Sequence, residues 1–166
     1  MVDRDWSAEH FTDSARCILE LIPAVAGSRW HHIADPSSIV MMSLWFLLLW
    51  QRKIGRVALE EVGVEPYDLA RDLDQCLEQK ALANPGIVMR RGTIVYVRPV
   101  DFDALLEPLI RQSEHEAIEL GHNYVGSEHL VLAMIRLADP ELLGFLQKRS
   151  VTYERVKDVV LKLLYG

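Results

Sequence analysis

The sequence predicts an all-α fold of eight helices, built as two pseudo-symmetric four-helix units with a β-hairpin inserted between them. Three observations predict it: an internal repeat, capping residues that recur before apolar runs, and one β-branched stretch between the two copies. Half of the 166 residues are apolar, so the chain can bury a core without disulfides or a metal ion. We therefore expect a single domain spanning residues 1–166.

The internal repeat sets the organisation. A shift of 91 positions aligns Phe11 with Phe102 and Val40 with Val131, and beyond Leu44 the shift falls to 87. The first copy thus holds four extra residues, which lie within residues 45–57. We assign repeat one to residues 11–80 and repeat two to residues 101–164, and neither copy alone should bury its apolar faces.

Capping residues mark the predicted helix starts. Thr12 and Asp13 can cap a helix that runs to about Ala26, where Gly27 would end it. Three further starts each place an acidic residue before a proline, whose missing N–H costs nothing at the first helical position. They are Asp35-Pro36, Glu65-Pro66 and Asp139-Pro140.

Residues 39–50 form the most apolar stretch, with Ser43 as the single polar residue among twelve. A helix needs roughly 20 apolar residues to span a bilayer, so this stretch predicts a buried helix instead. Its aromatic residues, Trp45, Phe46 and Trp50, would surround such a helix. The helix is therefore central to the core, which we favour, or it meets a partner.

The connection between the copies has the pattern of a β-hairpin. Two β-branched runs, residues 87–89 and 93–97, flank Arg90-Arg91-Gly92. Prolines at 85 and 99 bound them, which predicts a hairpin linker over residues 85–99.

Composition excludes several classes of function. The net charge of -6, with scattered basic residues, argues against nucleic-acid binding. Two isolated cysteines and a charged N-terminal stretch predict a reducing, cytoplasmic location without a membrane segment. No nucleophile and base are arranged as a catalytic motif, so we predict neither an enzyme nor a cofactor.

Three histidines recur every seven residues, at His115, His122 and His129. The break at Gly121-His122-Asn123 prevents a continuous helical face, so we predict no metal site. His129 follows a predicted helix cap, and a local hydrogen bond that fixes the helix start is the expected role. His122 is expected to be the same kind of turn residue.

The second copy carries a recognisable signature. Its residues Gly121-His122-Asn123-Tyr124-Val125-Gly126-Ser127-Glu128-His129-Leu130 closely resemble the Clp N-terminal repeat found in Clp-family chaperone ATPases. The resemblance covers most of the chain and implies a helical double repeat that docks adaptor or substrate proteins for an unfolding ring. The chain has no Gly-x-x-x-x-Gly-Lys-Ser/Thr loop, so it would act in trans if it is complete.

The resemblance also implies a contact region. Some relatives bind arginine-phosphorylated proteins through the acidic residue that follows Gly-Ser, and Glu128 matches it, whereas the first copy has Ser37 there. One such site at most is therefore expected, and Glu128 also has a structural alternative as a first-turn acid that stabilises the helix dipole. The predicted contact residues are Glu128, Ser127, Val125, Tyr124 and Thr12.

Two functions remain open. The first is a non-enzymatic interaction module that delivers adaptors or substrates to a Clp ATPase, protease or chaperone. The second is a structural accessory that docks on a Clp ring and modulates its assembly, with the aromatic segment and the hairpin as docking surfaces.

Overall fold

The computed structural model describes residues 8–29, 35–50, 52–83, 87–96 and 101–166. Within them a short 3-10 helix (Ala8–His10) precedes eight α-helices, which confirms the predicted eight-helix all-α fold. The helices are α1 (Asp13–Arg29), α2 (Pro36–Trp50), α3 (Ile54–Glu61), α4 (Pro66–Ala83), α5 (Phe102–Glu119), α6 (Ser127–Arg136), α7 (Pro140–Gln147) and α8 (Tyr153–Tyr165).

The helix starts recur at the offsets of the sequence repeat. α2 and α6 begin 91 positions apart, and α4 and α8 begin 87 positions apart. α2 has 15 residues and α6 has 10, so the extra residues of the first copy lengthen α2. The bounds assigned to the two repeats, and to the whole domain, stay predictions.

The predicted caps hold the helix starts. Thr12 Oγ1 accepts from the N–H of Ala15 over 3.3 Å, and Asp139 Oδ1 accepts from that of Leu142 over 2.8 Å. Asp35 and Glu65 accept in the same way, from the third residue after each. The predicted end of α1 was wrong, because the helix continues through Gly27 to Arg29. A glycine within a helix costs only about 1 kcal/mol, which does not terminate it.

α2 is the central helix of the core. It packs against α1, α4, α5 and α6, and every residue from Ser38 to Leu44 is buried. The Ser43 hydroxyl donates to the carbonyl of Ile39 over 2.7 Å, which satisfies the one polar side chain of the apolar stretch. The predicted buried helix is confirmed, although its last residue, Trp50, is 54% exposed. Among the described helices, none combines the length and apolarity needed to cross a membrane.

Two short strands lie in the connection between the copies. β1 (Ile87–Arg90) and β2 (Thr93–Tyr96) pair antiparallel, with Ile87 opposite Tyr96. Arg91 and Gly92 form the turn with φ of 51° and 77°, as a type I′ turn requires. Residues 85, 86 and 97–99 of the predicted linker lie outside the described residues. That these strands form an insertion into the double repeat stays a prediction.

Ion pairs connect the two copies at their outer helices. Lys80 Nζ of α4 lies 3.6 Å from Glu141 and 3.8 Å from Asp139 at the start of α7. Arg149, just after α7, pairs with Asp72 of α4. These ion pairs connect both ends of α7 to α4, in addition to the apolar packing of the core.

Candidate functional site

A short backbone bridge joins the start of the first copy to the signature of the second. The N–H of Thr12 donates to the carbonyl of Val125 over 2.9 Å, and the N–H of Val125 donates to that of His10 over 2.6 Å. Phe11 and Val125 form the parallel bridge between these bonds. The bridge brings together two of the predicted contact residues, Thr12 and Val125, which are 113 positions apart in the sequence.

The start of α6 carries two further predicted residues, Ser127 and Glu128. Ser127 is 4% exposed, and its hydroxyl accepts from the backbone N–H of Gly55 over 3.1 Å. A Cβ atom at Gly55 would lie 2.4 Å from the carbonyl oxygen of Ser127. The absence of a side chain at Gly55 therefore lets α3 approach α6, and Ser127 acts as part of that contact.

Glu128 is folded inward. It is 3% exposed, and a Cβ atom at Gly126 would lie 2.5 Å from either carboxylate oxygen. Burial raises the pKa of the Glu128 carboxyl. Hydrogen bonds from its own backbone N–H, from Tyr124 and from Ser127 lower this pKa, but burial has the larger effect. The carboxylate is thus an internal acceptor at the start of α6, and a guanidinium group would reach it only if the turn at Gly126 opened.

His129 fixes the N-terminus of α6 through its side chain. Its Nδ1 accepts the backbone N–H of Gly126 over 2.8 Å, which confirms the predicted local hydrogen bond. Its Nε2 lies 2.7 Å from Nδ1 of His122, so these two histidines form a pair. Burial lowers the pKa of His129 to about 4, and the neighbouring His122 adds to the effect. The third histidine, His115, lies beside Glu119 instead, at 3.5 Å.

An open groove of about 320 Å³ lies beside this turn. Of the predicted contact residues, Tyr124 and Val125 line it, whereas Thr12, Ser127 and Glu128 do not. Its most exposed apolar member is Ile118 near the end of α5, which is 73% exposed. The remaining lining residues are His10, Glu114, Ala117, His122 and Asn123.

The sequence held one signal for this groove. The buried residues of α5 recur with helical spacing, at Leu106, Leu109, Ser113, Glu116 and Ala117. Ile118 falls outside that spacing, and an apolar residue off the buried face of an amphipathic helix indicates a contact surface. The other lining residues come from α5, from the turn at residues 122–125 and from His10, and the backbone bridge at Val125 brings His10 to that turn.

A second groove of about 210 Å³ lies between the two copies. Ser37 and Val40 of α2 form one side, and α5 and Leu137 form the other. Ser37, the counterpart of the acidic position, lies in its lining. Ser37 donates to Asp35 at the α2 cap over 2.5 Å, so its hydroxyl serves the helix start.

The eight described helices and the signature at the start of α6 resemble the helical Clp N-terminal repeat. No family model matches the chain. It is 28% identical over 154 residues to a ClpA homologue of Trieres chinensis, an ATP-binding subunit of the ATP-dependent Clp protease. This alignment covers 92% of the chain and 16% of that protein.

Two further relatives give the same result. A ClpA homologue of Guillardia theta is 24% identical over 156 residues, which is 94% of the chain and 17% of that protein. The chaperone protein ClpB of Lactiplantibacillus plantarum is 23% identical over 158 residues, 95% of the chain and 17% of that protein. The predicted resemblance to Clp proteins is thereby confirmed, and the chain spans about a sixth of the length of these curated relatives.

Proposed function

We propose that this chain is a non-enzymatic interaction module of a Clp system, and that the groove beside Tyr124 binds apolar segments of substrate or adaptor proteins. The observation that carries the proposal is the groove itself, in which Ile118 lies exposed beside Ala117, Tyr124 and Val125. The similarity to Clp ATP-binding subunits and to ClpB supports the association with a Clp machine.

The size of the groove supports binding of one or two side chains. At about 320 Å³ it lies at the lower end of the range for ligand pockets, roughly 300–1,000 Å³. Covering an exposed isoleucine contributes about 1.5–3 kcal/mol, which is too little for tight binding by itself. Weak binding suits a module that must release its client to an unfolding ring.

The charges favour an unmodified peptide over an arginine-phosphorylated one. Glu114 lines the groove, and the chain carries a net charge of -6, so a phosphate group meets a repulsive field. The carboxylate of Glu128 is enclosed beneath Gly126. Recognition of phosphoarginine at Glu128, with one site at most, would require this turn to open.

Binding of a permanently unfolded protein tests the proposal. Reduced, carboxymethylated α-lactalbumin with a fluorescent label is titrated with the wild type, and its anisotropy should rise. Ile118→Gln should weaken binding several-fold, because it removes the exposed apolar side chain but keeps a good helix former. Leu82→Gln is the matched control, since Leu82 is 85% exposed on α4 and lies in neither groove. Equal losses in both variants would count against the groove.

The structural accessory is the second candidate function, and Trp50 is the observation that favours it. Trp50 is 54% exposed at the end of α2, with its ring centroid 5.2 Å from that of Phe46. Such a module should co-elute with a purified Clp protease or chaperone ring without any client, and Trp50→Gln should abolish this complex. A chain that binds unfolded protein but no ring in this experiment is a client-binding module alone.

A further inference from the structure

Three side chains link the end of α8 to the turn that carries the groove. The hydroxyl of Tyr165, the last residue of α8, hydrogen-bonds to Nε2 of His122. Nδ1 of His122 lies 2.7 Å from Nε2 of His129, and Nδ1 of His129 accepts the N–H of Gly126 over 2.8 Å. This Tyr165–His122–His129 chain runs from the surface to the N-cap of α6.

The backbone of Gly126 fixes where the protons lie in this chain. A backbone N–H can only donate, so Nδ1 of His129 must be without a proton, and neutral His129 carries its proton on Nε2. That proton points to Nδ1 of His122, which therefore accepts, and His122 carries its proton on Nε2, toward Tyr165. An additional proton on Nδ1 of His122 would face the Nε2–H of His129. An additional proton on Nδ1 of His129 would face the backbone N–H of Gly126. In either case two N–H groups would oppose each other.

His122 also positions a wall of the groove. Its ring stacks on that of Tyr124, with the centroids 5.1 Å apart and the planes within 6°. Both rings line the groove, whereas His129 lies beneath them at 0% exposure. A rotation of His122 that relieved two opposed N–H groups would therefore move Tyr124.

We infer that Tyr165 and His122 are positioning residues of the groove, and that the groove keeps its shape only while the His122–His129 pair is uncharged. The groove has this shape without a ligand, and only the effect of the pair on binding rests on the proposed function. Tyr165 hydrogen-bonds to His122 and acts on the groove through it.

Ionisable groups surround the pair on every side. They are Glu114 and Glu116 of α5, Glu128 of α6, Tyr165 of α8, Tyr124 of the turn, and His10 of the N-terminal segment. Glu116 favours a proton on His129, yet its carboxylate already accepts from Arg136, Gln112 and Tyr153. Glu128 Oε1 lies 3.7 Å from His129 Nδ1, but this nitrogen has no proton to share. Burial of His129 outweighs the effect of Glu116, so the pKa of His129 is lowered to about 4 and His129 is neutral at neutral pH.

Imidazole nitrogen NMR tests the proton positions directly. In the wild type at pH 7.5, both histidines should show the Nε2–H tautomer. On acidification, the signals of the Tyr124 ring and the Gly126 amide should shift together with the imidazole signals. A His122 in the Nδ1–H tautomer, or a Tyr124 ring that does not respond to protonation of the pair, would overturn the proposal.

Tyr165→Phe tests the outer end of the chain and keeps the aromatic ring. This variant should shift the Tyr124 and Gly126 signals at pH 7.5, because His122 loses the acceptor that holds its Nε2–H. Tyr67→Phe is the matched control, since Tyr67 is 65% exposed on α4 and lies outside the groove. If the two variants leave Tyr124 and Gly126 equally unchanged, Tyr165 has no positioning role.

Binding of carboxymethylated α-lactalbumin between pH 7.5 and 4.0 tests the functional consequence, because the pKa of His129 is lowered to about 4. Wild-type affinity should fall with pH, by up to about tenfold per unit once the pair takes up a proton. His122→Asn breaks the histidine pair, so the change in affinity that remains in this variant reports the titration of the probe and of the other ionisable groups around the groove. Identical pH profiles for the two proteins would refute the coupling. A wild type that binds at no pH would refute the proposed function, and the NMR experiments would still decide the positioning role.

Discussion

The backbone N–H of Gly55 donates to the hydroxyl of Ser127 over 3.1 Å, and this bond joins α3 of the first copy to the first turn of α6 in the second. Both residues are buried, and the two helices pack directly on each other. The signature of the second copy is thus held in place by the first copy. A single copy would lack this contact with the first turn of α6.

Gly55→Ala should destabilise the protein. The added Cβ would lie 2.4 Å from the carbonyl oxygen of Ser127, and since this is a backbone atom, α3 and α6 must move apart. We expect a loss of about 1–3 kcal/mol in the free energy of unfolding, measured by urea denaturation. Gly144→Ala is the control, because a Cβ there meets no atom within 4 Å in the middle of α7. It should stabilise by roughly 0.5–1 kcal/mol, and destabilisation of similar size in both variants would contradict the close approach at Gly55.

Gly126→Ala should turn the Glu128 carboxylate outward. The new Cβ would lie 2.5 Å from both carboxylate oxygens, which can move because they end a flexible side chain. The φ of Gly126 is -106°, which alanine adopts without strain, so the fold should persist. The pKa of Glu128 should then fall toward its ordinary value, since burial is what raises it. Carboxyl-carbon NMR titration measures this, and an unchanged titration of Glu128 would show that the carboxylate stays enclosed.

The sequence predicted the helices better than the site because capping and periodicity are local. Asp139 accepts from a backbone N–H three residues later, a relation visible in sequence, and it starts α7 as predicted. The end of α1 was missed, since Gly27 costs too little to stop a helix that tertiary contacts support. The signature around Glu128 was recognised from the sequence. That the Glu128 side chain is buried was not, because its carboxylate occupies the space that a side chain at Gly126 would fill. In the groove, a backbone bridge joins Val125 to His10, which is 115 positions away in the sequence, and no local pattern indicates such a contact.

Tyr153→Phe should weaken the packing of α8. The Tyr153 hydroxyl donates to Oε2 of Glu116 over 2.5 Å, and Glu116 is 0% exposed. Removal of one donor from a buried carboxylate costs about 1.5–3 kcal/mol in the free energy of unfolding, to be measured by urea denaturation.

Burial, together with the hydrogen bond to Glu116, raises the pKa of Tyr153 to about 12. In an ultraviolet titration this tyrosine should therefore ionise at a higher pH than an ordinary tyrosine. Tyr67→Phe, at an exposed position of α4, should leave the stability unchanged. Equal stabilities of the two variants would show that the bond to Glu116 contributes nothing.

His129 should make the stability depend on pH in a defined direction. Its pKa is lowered to about 4 in the folded protein, against about 6.5 for an unfolded histidine, so the unfolded state takes up the proton first. The stabilisation is complete above pH 6.5 and is lost as the pH falls from about 6.5 to 4, by on the order of 3 kcal/mol in total.

Glu128 opposes this trend, because its raised pKa favours the folded state at low pH and that contribution is lost as the pH rises. The contribution of His129 is therefore the difference between wild type and His129→Gln in urea denaturation from pH 7.5 to 4.5. This difference should shrink as the pH falls. His115→Gln is the control for the loss of a histidine, since the side chain of His115 is 62% exposed beside Glu119. If the difference between wild type and His129→Gln stays constant with pH, His129 has the same pKa in the folded and unfolded states. The hydrogen bond from Gly126 and the burial of His129 would then not lower its pKa.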